Sequence, residues 1–116
     1  MSIYKILVCG GRDFNDYAFM EKRLNEFMNT YGKFAIISGG ARGADSLAVA
    51  YGRANGLAVI EVQANWDFYG KPAGSIRNKW MLDLCNPSYA IAFPGGVGTA
   101  HMIKLLRAAN VPVWEL

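Results

Sequence analysis

The chain has 116 residues, 53% of them hydrophobic and 18% charged, with a formal net charge of +3. That length suits one domain with one core and excludes two, and the apolar excess suits a sheet covered on both faces while excluding a disordered chain. The mild basic balance permits a nucleotide or nucleic-acid partner without requiring either.

Tyr4 to Cys9 is a short apolar run ending in Gly10-Gly11-Arg12-Asp13, the pattern of a buried parallel strand and a tight loop. Asp16 is placed to cap a helix that reaches about Tyr31, with Met20, Leu24, Phe27, Met28 and Tyr31 at helical spacing on its core face, and Gly32 ends it. Phe34 to Ser38 reads as a second strand running into Gly39-Gly40-Ala41-Arg42-Gly43. A helix opening at about Gly43 and reaching about Asn55 turns Ala44, Leu47, Ala48 and Tyr51 inward, and its first N–H groups and dipole face the same space as the glycines. That combination suits an anion, most often a phosphate; a tight connection without a ligand is the alternative.

Ala58 to Val62 makes a third strand. Ala64 to Ala73 is then a loop longer than the ~2–6 residues usual between strand and helix. Its Trp66, Phe68 and Tyr69 either stack on a base or cover the sheet edge. Gly74 to Leu84 reads as a helix with Ile76, Trp80 and Leu84 inward and Arg77 and Asn78 in its early turns, ended by Asn86-Pro87. Tyr89 to Phe93 is a fourth strand, followed by Pro94-Gly95-Gly96-Val97-Gly98-Thr99 and a helix with Met102, Ile103, Leu106 and Ala109 inward. Val111 to Trp114 supplies the fifth strand.

Strands alternating with four helices predict an α/β, doubly wound, parallel five-stranded sheet of order 3-2-1-4-5 with helices on both faces. In that order the chain reverses between strands 1 and 4, so a crevice is expected beyond their carboxyl ends, flanked by the loops at Gly10 and Pro94 with the Gly39 loop alongside. Three glycine turns converging there favour a phosphate-bearing ligand more than any one turn does.

Arg12, Arg42 and Arg77 each border a glycine turn, where bidentate guanidinium–phosphate contacts would suit them; pairing with Asp13, Asp45 or Asp67 is the plainer alternative. Asp45 could accept from ribose hydroxyls or complement its helix dipole, and Asp13 could act on a ligand or pair with Arg12 or Arg42. Ser38 and Thr99 are hydroxyls in turns, able to cap or to bind. His101 is the only histidine, one turn into a helix, where it could contact a ligand or serve as a general base. With that one histidine and two distant cysteines, Cys9 and Cys85, both read as buried free thiols, no metal spacing is visible and no cofactor is expected. No secretory signal opens the chain and no apolar run approaches the roughly 18 residues of a membrane span, so a cytoplasmic protein without membrane partners is expected.

Six stretches carry a family resemblance over nearly the whole chain: Gly10-Gly11-Arg12-Asp13-Phe14, Ser38 through Asp45, Ala64-Asn65-Trp66, Gly70-Lys71-Pro72-Ala73-Gly74, Arg77-Asn78, and Pro94 through Thr99. Together they resemble the SLOG superfamily of Rossmann-like domains, and within it the small YspA-type proteins. The Pro-Gly-Gly-x-Gly-Thr turn is similar to that of the Lonely Guy phosphoribohydrolases, which cleave the base–ribose bond of cytokinin nucleotides. The Ser38–Asp45 turn is similar to that of DNA-processing proteins that load single-stranded DNA. Other members of the superfamily sense NAD- or ADP-ribose-derived signals, so a nucleotide-like ligand is the shared implication.

The resemblance implies ligand contacts from Gly10, Gly11, Arg12, Ser38, Gly39, Gly40, Arg42, Gly43, Asp45, Trp66, Arg77, Asn78, Pro94, Gly95, Gly96, Gly98 and Thr99. Arg77 and Asn78 stand where the phosphoribohydrolases carry a basic helix contact. One departure matters: those enzymes continue the turn as Gly-Thr-x-x-Glu, whereas here Thr99 is followed by Ala100, His101 and Met102. YspA-type proteins more often have an aspartate at the position of His101. A glycosidic bond breaks through an oxocarbenium-like state that a carboxylate stabilises, so hydrolysis would need Asp13 or Asp45 as a substitute, with His101 a further catalytic candidate. The expected function is therefore binding of a nucleotide or ADP-ribose-type molecule as a sensor or sequestering domain. The alternatives are a nucleoside 5′-monophosphate phosphoribohydrolase or related N-glycosidase, and a binder of single-stranded nucleic acid. Relatives of this kind also imply a homo-oligomer.

Overall fold

The computed structural model describes residues 3–116. In chain order the elements are β1 (Tyr4–Cys9), α1 (Tyr17–Tyr31), β2 (Phe34–Ser38), α2 (Ala44–Ala54), β3 (Val59–Glu61), α3 (Trp66–Tyr69), α4 (Ala73–Cys85), β4 (Tyr89–Ala92), α5 (Val97–Ala108) and β5 (Val113–Glu115). The strands form one parallel sheet of order β3-β2-β1-β4-β5, so the expected doubly wound α/β architecture is the observed one.

Alternation along the central strands builds the two cores, because successive side chains leave a strand on opposite faces. Ile6, Val8, Phe34, Ile36, Ile91 and Phe93 face one way and meet Met20, Leu24 and Phe27 of α1 and Ala44, Ala48 and Tyr51 of α2. Leu7, Cys9, Ile37, Ala90 and Ala92 face the other way and meet Met81 and Cys85 of α4 and Met102 and Leu106 of α5. Each large aliphatic buried in this way stabilises the fold by roughly 1.5–3 kcal/mol. Both cysteines are buried free thiols, and burial pushes the Cys9 thiol up to about 12, which leaves it protonated and inert.

Asp16 caps α1, its Oδ1 accepting from the Phe19 amide at 3.1 Å. Other expectations need correction. Tyr31 is exposed, resting edge-on against Tyr4 rather than entering the core. The loop after β3 is not wholly irregular: Asn65 accepts from the Phe68 amide and opens the single turn α3, which Gly70 closes at φ 66°. The buried stripe of α4 is Ala73, Asn78, Met81 and Cys85, while Leu84 is 76% exposed and Ile76 and Trp80 are half-buried. Ala109 lies just past the end of α5 and is exposed. Among the described residues no helix is long and apolar enough to cross a membrane.

Candidate functional site

The reversal of winding between β1 and β4 leaves their carboxyl ends side by side, with Cys9 paired to Ala92. The ladder continues into the two turns: the Phe93 amide donates to Cys9 O at 2.9 Å and the Gly11 amide to Pro94 O at 2.9 Å. Gly11 O in turn accepts from the Ala44 amide, the first of α2, at 3.1 Å. One residue thus joins all three glycine turns, and glycine is required there because a Cβ would stand 2.9 Å from Pro94 O and 3.0 Å from Gly95 Cα. Gly43, at φ 80°, approaches so closely from the other side that a Cβ would overlap Gly11 O.

Above this junction opens a crevice of about 650 Å³, within the range of small-molecule sites. Its walls are Gly10 to Phe14, Ala41, Asp45, Arg77 and Pro94 to Thr99. Among the described residues the Val97, Gly98 and Thr99 amides make no hydrogen bond to protein; the first amide of α5 to find a partner is Ala100, which donates to Gly96 O at 3.0 Å. No acidic residue lies in that first turn. Three unpaired N–H groups at the positive end of a helix therefore face the crevice.

The α2 turn is filled from within. Ser38 Oγ is fully buried, donates to Asp45 O at 3.0 Å and accepts from the Gly40 amide at 3.2 Å. Asp45 Oδ2 accepts from the Ala41 amide at 3.3 Å, and Ser46 Oγ donates to Ala41 O at 2.8 Å. Burial pushes the Asp45 carboxyl up to about 6, a rise moderated by the Ala41 hydrogen bond and by the charges of Arg77 and Arg12. Arg77 is half-buried; its Nη1 donates to Gly39 O at 2.7 Å and its Nε to Asn78 Oδ1 at 3.0 Å. Burial draws its pKa down from the usual arginine value, the Asp45 charge opposing.

Not every residue expected at the site faces the crevice. Ser38, Gly39, Gly40, Gly43 and Asn78 lie behind its walls, and His101 sits half-buried beyond them, against Asn78. Arg42 points outward and pairs with Asp13 at 3.6 Å, both side chains largely in solvent. Arg12 lines the crevice and its guanidinium lies over the Trp66 ring, 5.7 Å from its centroid, which places Trp66 at the rim. Phe14, Ala41 and Val97 also line the crevice; each lies inside one of the glycine-rich motifs of the sequence but carries no charge or hydrogen-bonding side chain to mark it as a site residue. Among the described residues no three His, Cys, Asp or Glu side chains cluster as a metal would require.

Comparison with known proteins matches residues 4–69 to the model of the YspA, cpYpsA-related SLOG family. The chain belongs to this SLOG family. It is also 34% identical to the Gene 61 protein of Mycobacterium phage D29 over 94% of its own length and 93% of that protein's. Among solved structures, the SLOG chain superposes on the structural-genomics target TM1055 with a TM-score of 0.72 at 20% identity, covering 96% of this chain and 72% of that one. DNA processing protein A (DprA) from Streptococcus pneumoniae follows with a TM-score of 0.57 at 17% identity, covering 96% of this chain and 58% of the DprA chain. At those identities the two structures establish a shared fold and nothing further.

Proposed function

We propose that the crevice binds a nucleotide or ADP-ribose-type small molecule, and that the protein acts as a sensor or sequestering domain for it. The observation that carries this reading is the first turn of α5: three amides without protein acceptors and no carboxylate, facing Arg77 and Arg12 across a crevice of about 650 Å³. A phosphate on those amides would be completed by the guanidinium of Arg77, with the ribose toward Asp45 and the base toward the Arg12–Trp66 rim. Incubation with AMP, NAD, ADP-ribose and cyclic ADP-ribose, followed by mass spectrometry of bound and free fractions, is the test. Recovery of one compound intact with the protein, lost on Arg77→Met, supports a binder. A folded protein that retains none of them overturns the reading.

One observation favours hydrolysis as a second reading. Asp45 is a crevice carboxylate that burial raises to about 6, near enough to neutrality to exchange a proton during base release. Asp13 is less suited, standing in solvent beside Arg42. Free base appearing in the same assay, and disappearing in Asp45→Asn, would convert the sensor into a phosphoribohydrolase-like N-glycosidase. Turnover untouched by that substitution would remove Asp45 from the mechanism.

A further inference from the structure

Asn78 carries a motif position that the crevice does not absorb. It is 6% exposed, on the buried stripe of α4, and behind the crevice wall. Its Oδ1 accepts from Arg77 Nε at 3.0 Å. A guanidinium has only donors, so this contact fixes which way the amide is turned: oxygen toward Arg77, nitrogen toward α5. There Nδ2 lies 3.1 Å from Nδ1 of His101 and, more loosely, 3.5 Å from Gly98 O. An amide nitrogen only donates, so His101 Nδ1 must accept, and the ring proton belongs on Nε2. Arg77 meanwhile reaches back to Gly39 O at 2.7 Å. The Asn78 amide therefore joins the guanidinium in the crevice to the first turn of α5, and that guanidinium in turn holds the turn after β2.

We propose that Asn78 is a positioning residue that holds the Arg77 guanidinium and the first turn of α5 in fixed relation, with His101 as its acceptor and not as a general base. The proposal rests on the crevice reading only for what is bound there. Arg77 stands on α4 and the open amides on α5, and Asn78 links the two elements beside the crevice. A guanidinium held by two acceptors has less freedom to lose when an anion arrives, so the tie acts on affinity without touching the ligand.

Two substitutions separate the halves of the tie. Asn78→Asp keeps an oxygen for Arg77 Nε but turns an acceptor toward Gly98 O and His101; Asn78→Leu removes both functions at similar volume. The first readout is the tautomer of His101 in long-range proton–nitrogen spectra at a pH where the ring is neutral. The wild type should carry its proton on Nε2, and Asn78→Asp should draw it to Nδ1. The second is titration with AMP and with inorganic phosphate, where Asn78→Leu, which removes the acceptor of Arg77 Nε, should lose about tenfold in affinity, the size expected for a lost charge-assisted hydrogen bond. A wild-type proton on Nδ1, or a folded Asn78→Leu protein with wild-type affinity, overturns the proposal. The tautomer is read on the wild-type protein, so a variant that misfolds does not shelter it. Failure of the wild type to bind either probe defeats the crevice reading instead, and the tautomer still decides the Asn78 tie.

Discussion

The turns that open α2 and α5 look alike in sequence and are built differently. Both follow a buried central strand, both are glycine-rich, and both aim a helix N-terminus at the same crevice. At α2 the first amide is taken by Gly11 O, a carboxylate from Asp45 stands in the first turn, and Ser38 ties the turn from beneath. Neither helix has a side-chain cap, but at α5 no amide of the first turn finds a partner before Ala100, so three are left open against two, Asp45 and Ser46, at α2. Glycine serves backbone-to-backbone packing at the first and an open approach at the second. A helix N-terminus is thus an anion site only where the protein has not already supplied the anion.

Substitutions should separate the two turns. The largest loss of stability is expected at Gly43, which combines φ 80° with a Cβ overlapping Gly11 O: Gly43→Ala should cost about 3 kcal/mol or more in urea unfolding.

Asp45→Asn comes next and acts through pH. Burial pushes the folded carboxyl up to about 6 from its ordinary 3.8, so the folded state holds its proton more tightly than the unfolded chain. The resulting contribution to stability is complete below pH 3.8 and is lost as pH rises through 6. Asn, which cannot ionise, should therefore be more stable than wild type at pH 7, by up to about 3 kcal/mol, with the gain vanishing near pH 4; paired unfolding curves at the two pH values check this. A gain independent of pH would show that Asp45 is not the strained carboxylate of the α2 turn.

Gly98→Ala should invert the Gly43 result. Nothing stands within 4 Å of a Cβ there, so unfolding should change by no more than about 0.5 kcal/mol, while AMP affinity falls because the new methyl enters the open turn. The smallest effect is expected from Arg42→Ala, whose ion pair with Asp13 is solvent-exposed; stability should move by less than about 1 kcal/mol in thermal unfolding, and AMP affinity hardly at all.

Much of this was legible in the sequence. Continuous apolar strands, glycine turns and five alternating segments fixed the sheet order, because parallel central strands buried on both faces leave few other arrangements. The α4 face was not legible: Ile76, Trp80 and Leu84 form one helical stripe, and Met81 and Cys85 belong to the next, about 100° away. The buried polar residue that decides between them, Asn78, counts as outward in any hydrophobic pattern. The turn α3 was missed because four residues are too few to show a period, although its caps, Asn65 and Gly70, stood in plain view. At the site, the three turns could be read from glycine spacing. Their different roles could not, since the group that occupies the α2 amide is Gly11, far away along the chain.

The most direct measurement is an amide proton–nitrogen titration of the wild-type protein with AMP. Binding at the α5 turn should shift Val97, Gly98 and Thr99 most, with Ala44 held by Gly11 and moving little. Largest shifts at Gly40 through Asp45, with the α5 amides unmoved, would contradict the assignment and place the anion on the α2 turn instead.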